Sequence, residues 1–325
     1  DATVWCWGYN EHGELGDGTT GDANFARLLP VHVRRGSGIL TNVMAISAGP
    51  YHTCAVRTDL TVWCWGDDEQ GQLGDGTTGG ANHRRLLPVH VRAGSSLLTN
   101  VKAVSGGFRH TCALRTDGTV WCWGYGGSGA LGDGTTGDAN QRRLSPVQVR
   151  RGSGYLTGVK AISAGWLYTC ALRSTVTVWC WGDNETGQLG DGTTGDTFHR
   201  RLLPVQVRTA SGAFTEVKGI SAGFGHTCAM RTDATAWCWG DATDGQLGDG
   251  TTGGASHRRL RPVQVLSGSG TLTGVKRIGS GSGHSCVQRD TVWCWGSDLY
   301  GQLGDGTTGD ASNRRLLPVR ALLPT

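Results

Sequence analysis

The sequence predicts an all-β chain: a β-propeller of six repeat units of about 58 residues, with three to four antiparallel strands per blade and disulfides inside the blades. Three observations carry this. The tetrapeptide Trp-Cys-Trp-Gly occurs six times, beginning at Trp5, Trp63, Trp121, Trp179, Trp237 and Trp293, at spacings of 58, 58, 58, 58 and 56 residues. The apolar residues between copies form short runs with no 3.6-residue period long enough for a helix. The 55 glycines recur at fixed places in each unit, so they mark turns and not low complexity.

In the second unit the pattern predicts strand a over 43–48, strand b over 52–57, strand c over 61–65 and strand d over 88–92. Between c and d lies the string Gly-Gln-Leu-Gly-Asp-Gly-Thr-Thr-Gly (71–79), followed by Arg-Arg-Leu-Leu-Pro-Val-His-Val (84–91). A period above 40 residues with several strands per unit favours a propeller over a solenoid, and closing a ring removes exposed sheet edges. The six units cover the chain as a single domain, 1–325.

Ten of the eleven cysteines fall into pairs within single units: Cys54 with Cys64, Cys112 with Cys122, Cys170 with Cys180, Cys228 with Cys238, and Cys286 with Cys294. Cys112 and Cys122 flank Arg115-Thr116-Asp117-Gly118-Thr119, which reads as a three-residue hairpin loop with Gly118 in the left-handed position. That register sets the two cysteines opposite each other, within reach of a disulfide. The last pair is two residues closer, which keeps the same facing. Zinc is the rival reading, but one pair per blade without Cys-x-x-Cys does not make a four-ligand site. Disulfides place the chain in an oxidising compartment, extracellular or at a cell surface. The sequence shows no signal peptide and no apolar stretch long enough to span a membrane.

Asp1-Ala-Thr-Val-Trp-Cys-Trp matches Asp233-Ala-Thr-Ala-Trp-Cys-Trp, where the aspartate sits in the b–c turn. The first blade therefore lacks its two inner strands within this sequence, and Cys6 is left unpaired. Sequence upstream of Asp1 or another subunit would supply those strands, and the odd cysteine also allows intermolecular pairing and self-association through the incomplete blade.

These residues resemble the regulator of chromosome condensation repeat family. The segment Val-Lys-Ala-Val-Ser-Gly-Gly-Phe-Arg-His-Thr-Cys-Ala-Leu-Arg-Thr-Asp-Gly-Thr-Val-Trp-Cys-Trp-Gly (101–124), with the Gly-Gln-Leu-Gly and Pro-Val-x-Val segments after it, is similar to that family's repeat. The resemblance implies a propeller, most often seven-bladed, serving as a protein-interaction platform. The paired cysteines set this chain apart from nuclear members and make it resemble secreted bacterial relatives. A photoreceptor of the plant kind would need several tryptophans in the a–b loops; this chain has one, Trp166.

Alternation puts the two repeat tryptophans on one face of strand c, so twelve of the thirteen are expected to pack between blades, with an aromatic ligand box as the weaker alternative. A histidine recurs before the strand-b Thr-Cys or Ser-Cys at His52, His110, His226 and His284, with Tyr168 in the fourth copy. A metal ring is conceivable there, but the tyrosine favours a histidine that hydrogen-bonds its own blade. The Asp-Gly-Thr-Thr-Gly-Asp string (Asp17 to Asp22) offers oxygens for calcium. Its second aspartate becomes Gly80 and Gly253, so turns whose aspartates meet Arg84-Arg85, Arg142-Arg143, Arg200-Arg201, Arg258-Arg259 and Arg314-Arg315 are the preferred reading. No cofactor and no resident metal are expected. A net charge of +4 spread over six units does not predict nucleic-acid binding. Asn184-Glu-Thr186 is an N-glycosylation sequon on a loop.

A repeat protein keeps its scaffold constant, so a specific site should use the positions that vary. These lie in the a–b loop and after Trp-Cys-Trp-Gly: Pro50, Tyr51, Phe108, Arg109, Trp166, Leu167, Tyr168 and Phe224, joined by Tyr9, Tyr125 and Tyr300. Aromatics with arginine are typical of protein-binding hot spots. The expected function is a non-catalytic extracellular protein-binding or structural module acting through this face. The alternatives are a subunit of a surface assembly closed through the open blade and a secreted enzyme inhibitor, with carbohydrate binding or catalysis behind them. The glutamates Glu11, Glu14, Glu69, Glu185 and Glu216 are scattered and no catalytic motif stands out.

Overall fold

The computed structural model describes residues 2–21, 25–196, 198–268, 270–308 and 312–322. The chain forms two compact halves, residues 1–162 and 163–325. It is all-β: four-stranded antiparallel sheets recur with the sequence repeat, and the only helix among the described residues is the pair of single 3-10 turns Gly80–Asn82 and Gly254–Ser256.

The first half holds two complete sheets. One is Val43–Ala48, His52–Arg57, Val62–Asp67 and Arg84–His90; the other is Val101–Gly106, His110–Arg115, Val120–Tyr125 and Arg142–Gln148. Strands a and b of the second repeat lie where alternation and the flanking glycines predict them. Strand c runs two residues further, through Asp67. Strand d starts at Arg84, four residues ahead of the prediction, because Arg84 and Arg85 already pair with Asp67 and Gly66. Pro88 is compatible with a ladder here because strand d is an outer edge. A shift between Cys64 and Gly66 marks a bulge at the Trp-Cys-Trp-Gly glycine. Short hairpins, such as Arg34–Arg35 with Gly38–Ile39, extend several repeats; the sequence reading did not anticipate them.

The second half carries the strands Tyr168–Arg173, Val178–Asp183 and Arg200–Gln206, then two further four-stranded sheets running from Val217–Ala222 to Arg258–Gln264 and from Arg277–Ser280 to Arg314–Arg320. In each of the five repeats with a strand b, the b–c register sets the cysteines directly opposite each other at a Cα separation of 4.1 Å, and all five disulfides are formed. The b–c turn is as expected: Gly118 has φ +77°, and Leu60, Val176 and Ala234 take the same left-handed conformation in their repeats.

Contacts between successive repeats follow a rule. The second tryptophan of the tetrapeptide is fully buried, and its Nε1 donates to a carbonyl in the Gly-x-Leu-Gly turn of the preceding repeat: Trp65 to Glu14, Trp123 to Gln72, Trp239 to Gln188 and Trp295 to Gln246, at 2.7–2.9 Å. The turn glycine lets the ring approach, since a Cβ on Gly74 would lie 2.6 Å from Trp123. Phe214, Val207 and Trp239 illustrate the apolar filling on which these rings rest. The first tryptophan packs less deeply; Trp63 stacks 3.6 Å from His90, with Arg35 over its face. Trp5 and Trp7 depart from the inter-blade expectation. They are 50% and 63% exposed, because no strand b covers them among the described residues.

Candidate interaction face

Within each blade, backbone hydrogen bonds join the two variable loops. The carbonyl of the last a–b loop residue accepts the N–H of the residue after Trp-Cys-Trp-Gly: Tyr51 from Asp67, Arg109 from Tyr125, Leu167 from Asp183. The glycine before the second of these residues takes φ near +100°, which brings it against the loop: a Cβ on Gly66 would lie 2.5 Å from the Tyr51 carbonyl oxygen. Positions that vary between repeats thus meet at one end of each blade.

In the first half the ring of Tyr51 sits 5.3 Å from Phe108 and edge-on to His12 at 5.4 Å. The Arg109 guanidinium lies over Phe108 at 5.3 Å and pairs with Glu69 at 3.5 Å. In the second half Trp166 and Phe224 stack at 4.2 Å, with Phe224 45% exposed. Pro50 is exposed and Leu167 half-buried beside these pairs. Tyr300 stands 86% exposed, Tyr125 hydrogen-bonds Gln141, and the Tyr9 hydroxyl donates to Glu11. His12 and Glu69 belong to the first-half cluster: the sequence reading did not single out His12, and it named Glu69 only among scattered glutamates. The available signal was that the residue after Glu11 is His12 where the next repeat has Gln70.

Tyr168 is corrected. It is fully buried, and its hydroxyl donates to the His226 carbonyl at 2.5 Å and accepts from Thr227 at 3.0 Å. The same geometry corrects the histidines, which bond the next repeat and not their own blade: His52 Nε2 to Thr111, and His226 Nε2 to Ser285, at 2.7 and 2.8 Å. Burial pushes His52 and His226 down to about 4, so both are neutral links between repeats, and burial with a smaller contribution from His52 takes His110 to about 3. No cluster of three metal-ligating side chains occurs among the described residues.

The Asp-Gly-Thr-Thr turns hold their own charge. Asp75 Oδ1 accepts from the backbone and hydroxyl of Thr77 at 2.9 and 2.7 Å, while Oδ2 takes Arg85 at 2.7 Å. Burial alone would raise this carboxyl, but the Thr77 and Arg85 hydrogen bonds outweigh it and hold Asp75 below the usual range. Asp17–Arg27, Asp133–Arg143, Asp191–Arg201, Asp249–Arg259 and Asp305–Arg315 repeat the pair. Asp22, the last residue of the calcium reading, lies outside the described residues. The second arginine of each doublet meets the turn aspartate, and of the first arginines Arg200 also lies 4.0 Å from Asp196. The first braces the preceding repeat, as Arg84 does to the Glu11 carbonyl and Arg142 to that of Glu69. The sequon residue Asn184 is fully buried, with its amide on the Thr193 carbonyl and its oxygen on the Leu189 N–H, so its side chain is not a surface loop group.

Repeated four-stranded blades joined by buried tryptophans define a β-propeller built from regulator of chromosome condensation repeats. The chain belongs to the RCC1-like domain family, which it matches over residues 1–323. It is 29% identical over 316 residues to the ultraviolet-B receptor UVR8 of Arabidopsis thaliana, covering 97% of this chain and 65% of that protein. It is 28% identical over 319 residues to the E3 ubiquitin-protein ligase HERC2 of Homo sapiens, covering 98% of this chain and 6% of the ligase. The chain thus spans less than two thirds of either relative. Among solved structures, human WBSCR16 superposes with a TM-score of 0.77 at 19% identity, covering 98% of this chain and 77% of that one. Saccharomyces cerevisiae Prp20p, the yeast RCC1, superposes at 0.62 and 17% identity, covering 99% and 86%. No helix among the described residues is long and apolar enough to cross a membrane.

Proposed function

We propose that this chain is a non-catalytic, extracellular protein-binding propeller that contacts its partner through the variable loop ends of its blades. The observation that carries the reading is the stacked Trp166–Phe224 pair, two large rings at 4.2 Å on loops where the repeat places no structural demand. Trp166 is the one tryptophan outside the tetrapeptides. The Phe108–Arg109 pair offers the same aromatic and guanidinium chemistry, which is enriched where interfaces concentrate their binding energy. Five intra-blade disulfides support an oxidising compartment. Yeast RCC1, which shares this fold, is a protein solved with Kap60 bound to it, and that precedent supports a binding role here.

A photo-crosslinking residue at Phe224, compared with one at Leu97 in the short hairpin Arg92–Ala93 with Ser96–Leu97, tests this in the native secretion medium. A discrete crosslinked protein from position 224 alone, lost in Trp166→Ala at unchanged melting temperature, supports the reading. Equal crosslinking from both positions overturns it.

A further inference from the structure

The residue that follows strand c has one role in four of the repeats. Its side-chain Oδ1 accepts the N–H of the leucine five positions on, at 2.9–3.0 Å: Asn10 from Leu15, Asp68 from Leu73, Asn184 from Leu189 and Asp298 from Leu303. In the other two repeats the position is Gly126 or Ala242, which carry no such oxygen. The shared bond fixes where the second arm of the side chain points. In Asn10 and Asn184 that arm is an amide. It donates to the carbonyls of Thr19 and Thr193 at 3.1 and 3.0 Å, and lies 3.5 and 3.4 Å from Oδ1 of Asp17 and Asp191.

In Asp68 and Asp298 the same arm is an oxygen. Both residues are fully buried, and Oδ2 of each has no hydrogen-bond partner. By register this oxygen faces further acceptors: Asp75 and Thr77 stand seven and nine residues after Asp68, and Asp305 and Thr307 after Asp298, as Asp17 and Thr19 do after Asn10. The turns keep their geometry. Oδ1 of Asp75 and of Asp305 takes the N–H and hydroxyl of Thr77 and Thr307 at 2.7–3.0 Å, while Arg85 and Arg315 pair with Oδ2 at 2.7 and 2.9 Å. Each arginine balances its own turn aspartate, so the carboxylates of Asp68 and Asp298 add one negative charge to a gap lined by oxygens. Burial first, and the charge of Asp75 after it, push the Asp68 carboxyl up, as such a gap should. A buried carboxylate facing acceptors is costly unless a positive group enters between them.

We propose that Asp68 with Asp75 and the Thr77 carbonyl, and Asp298 with Asp305 and the Thr307 carbonyl, each hold a hard cation of calcium's size where Asn10 and Asn184 place an amide. Oxygens spaced as that amide is from its neighbours, 3.0–3.5 Å apart, suit adjacent ligands of one ion at about 2.3–2.6 Å, the calcium range. Octahedral magnesium, at about 2.0–2.1 Å, would draw them to about 2.9 Å. An all-oxygen donor set also selects against the softer metals that prefer nitrogen and sulfur. Thr77 and Thr307 are exposed, so the ion reaches the gap from solvent and keeps waters on that side. With one uncompensated charge per site, dissociation constants should be about 10⁻⁴ to 10⁻³ M. The deciding carboxylate stands ahead of the Asp-Gly-Thr-Thr string, which is why two of the six repeats have the site although all six have the string.

The test titrates calcium chloride into the 325-residue chain, freed of metal with a chelator, at a pH of about 8 and constant ionic strength. Calorimetry should count one ion at Asp68 and one at Asp298. The melting temperature should rise by about 2 to 4 °C at ten times the dissociation constant, and sodium chloride should not reproduce the rise. Asp68→Asn supplies the amide that Asn10 and Asn184 already use, so it should fold, bind one ion fewer and lose part of the thermal response. Adding Asp298→Asn should abolish binding. An unsubstituted chain that gives neither heat of binding nor a thermal shift would mean that a proton alone fills the gap, and overturns the proposal. Undiminished calcium binding by the folded Asp68→Asn chain, or an equal response to sodium, overturns it as well.

Discussion

His52 Nε2 lies 2.7 Å from the Thr111 hydroxyl, and that hydroxyl donates to the Gln72 carbonyl at 2.7 Å, so the imidazole must be the donor and its proton must sit on Nε2. The relay joins the start of strand b in one repeat to strand b of the next and to the Gly-Gln-Leu-Gly turn of its own repeat. His226, Ser285 and Gln246 repeat it.

A histidine held neutral in this way makes the fold sensitive to acid. The folded-state values of His52 and His226, about 4, lie below the ordinary value, so their stabilisation is present above pH 6.5 and is lost as pH falls towards 4. Each shift corresponds to on the order of 3 kcal/mol. Thermal midpoints should fall steeply across that window. His52→Tyr, copying the arrangement of Tyr168, should still fold and should flatten the decline; an unchanged slope in a folded variant would count against the relay.

Asp68 should behave oppositely. Asn10 and Asn184 at this position give their amides to the carbonyls of Thr19 and Thr193, whereas Asp68 accepts from Leu73 through one oxygen and leaves the other buried without a partner. Burial pushes its carboxyl up to about 8, with Asp75 and Asp67 adding to the rise and Leu73 and Arg85 opposing it. Stability from the protonated form is complete below about pH 4 and is lost as pH rises towards 8. Asp68→Asn should therefore raise the melting temperature at pH 8 to 9, by about 1 to 3 kcal/mol in stability, with little gain below pH 4.

Two tryptophans of the same tetrapeptide position should differ sharply. Trp123→Ala removes a fully buried ring and its bond to Gln72, at a cost of about 3 to 5 kcal/mol in denaturant melts. Trp7→Ala, at a ring 63% exposed in the 325-residue chain, should cost less than about 1 kcal/mol. Equal costs would mean that Trp7 is covered in solution.

Val176 holds φ +54° in the turn where the third repeat uses Gly118, a conformation in which a β-branched residue crowds its own carbonyl. Val176→Asn should stabilise the chain by about 1 kcal/mol in urea titrations. A loss would show that Val176 packs well enough to offset the strain.

The disulfides each close a short loop, so Cys112→Ser with Cys122→Ser should cost roughly 2 to 3 kcal/mol and still leave a folded chain. Unfolding of the pairwise variant would mean that the bridges direct folding as well as stabilising it.

Much of this protein was legible in its sequence because repetition multiplies weak local signals. Six copies of Trp-Cys-Trp-Gly and an odd hairpin loop fix the b–c register, and that register alone sets Cys112 against Cys122. Alternation and glycine punctuation place strands a and b, since both signals lie within a few residues of the strand they mark. Contacts between repeats carry no such local mark. That His52 reaches Thr111 and not its own blade, that Arg84 braces Glu11 while Arg85 meets Asp75, and that Tyr168 turns inward from the variable loop depend on the offset between neighbouring sheets. The same holds for the pairing of Trp166 with Phe224: the sequence singled out both residues as departures from the repeat, but only packing set their rings 4.2 Å apart at a 36° tilt.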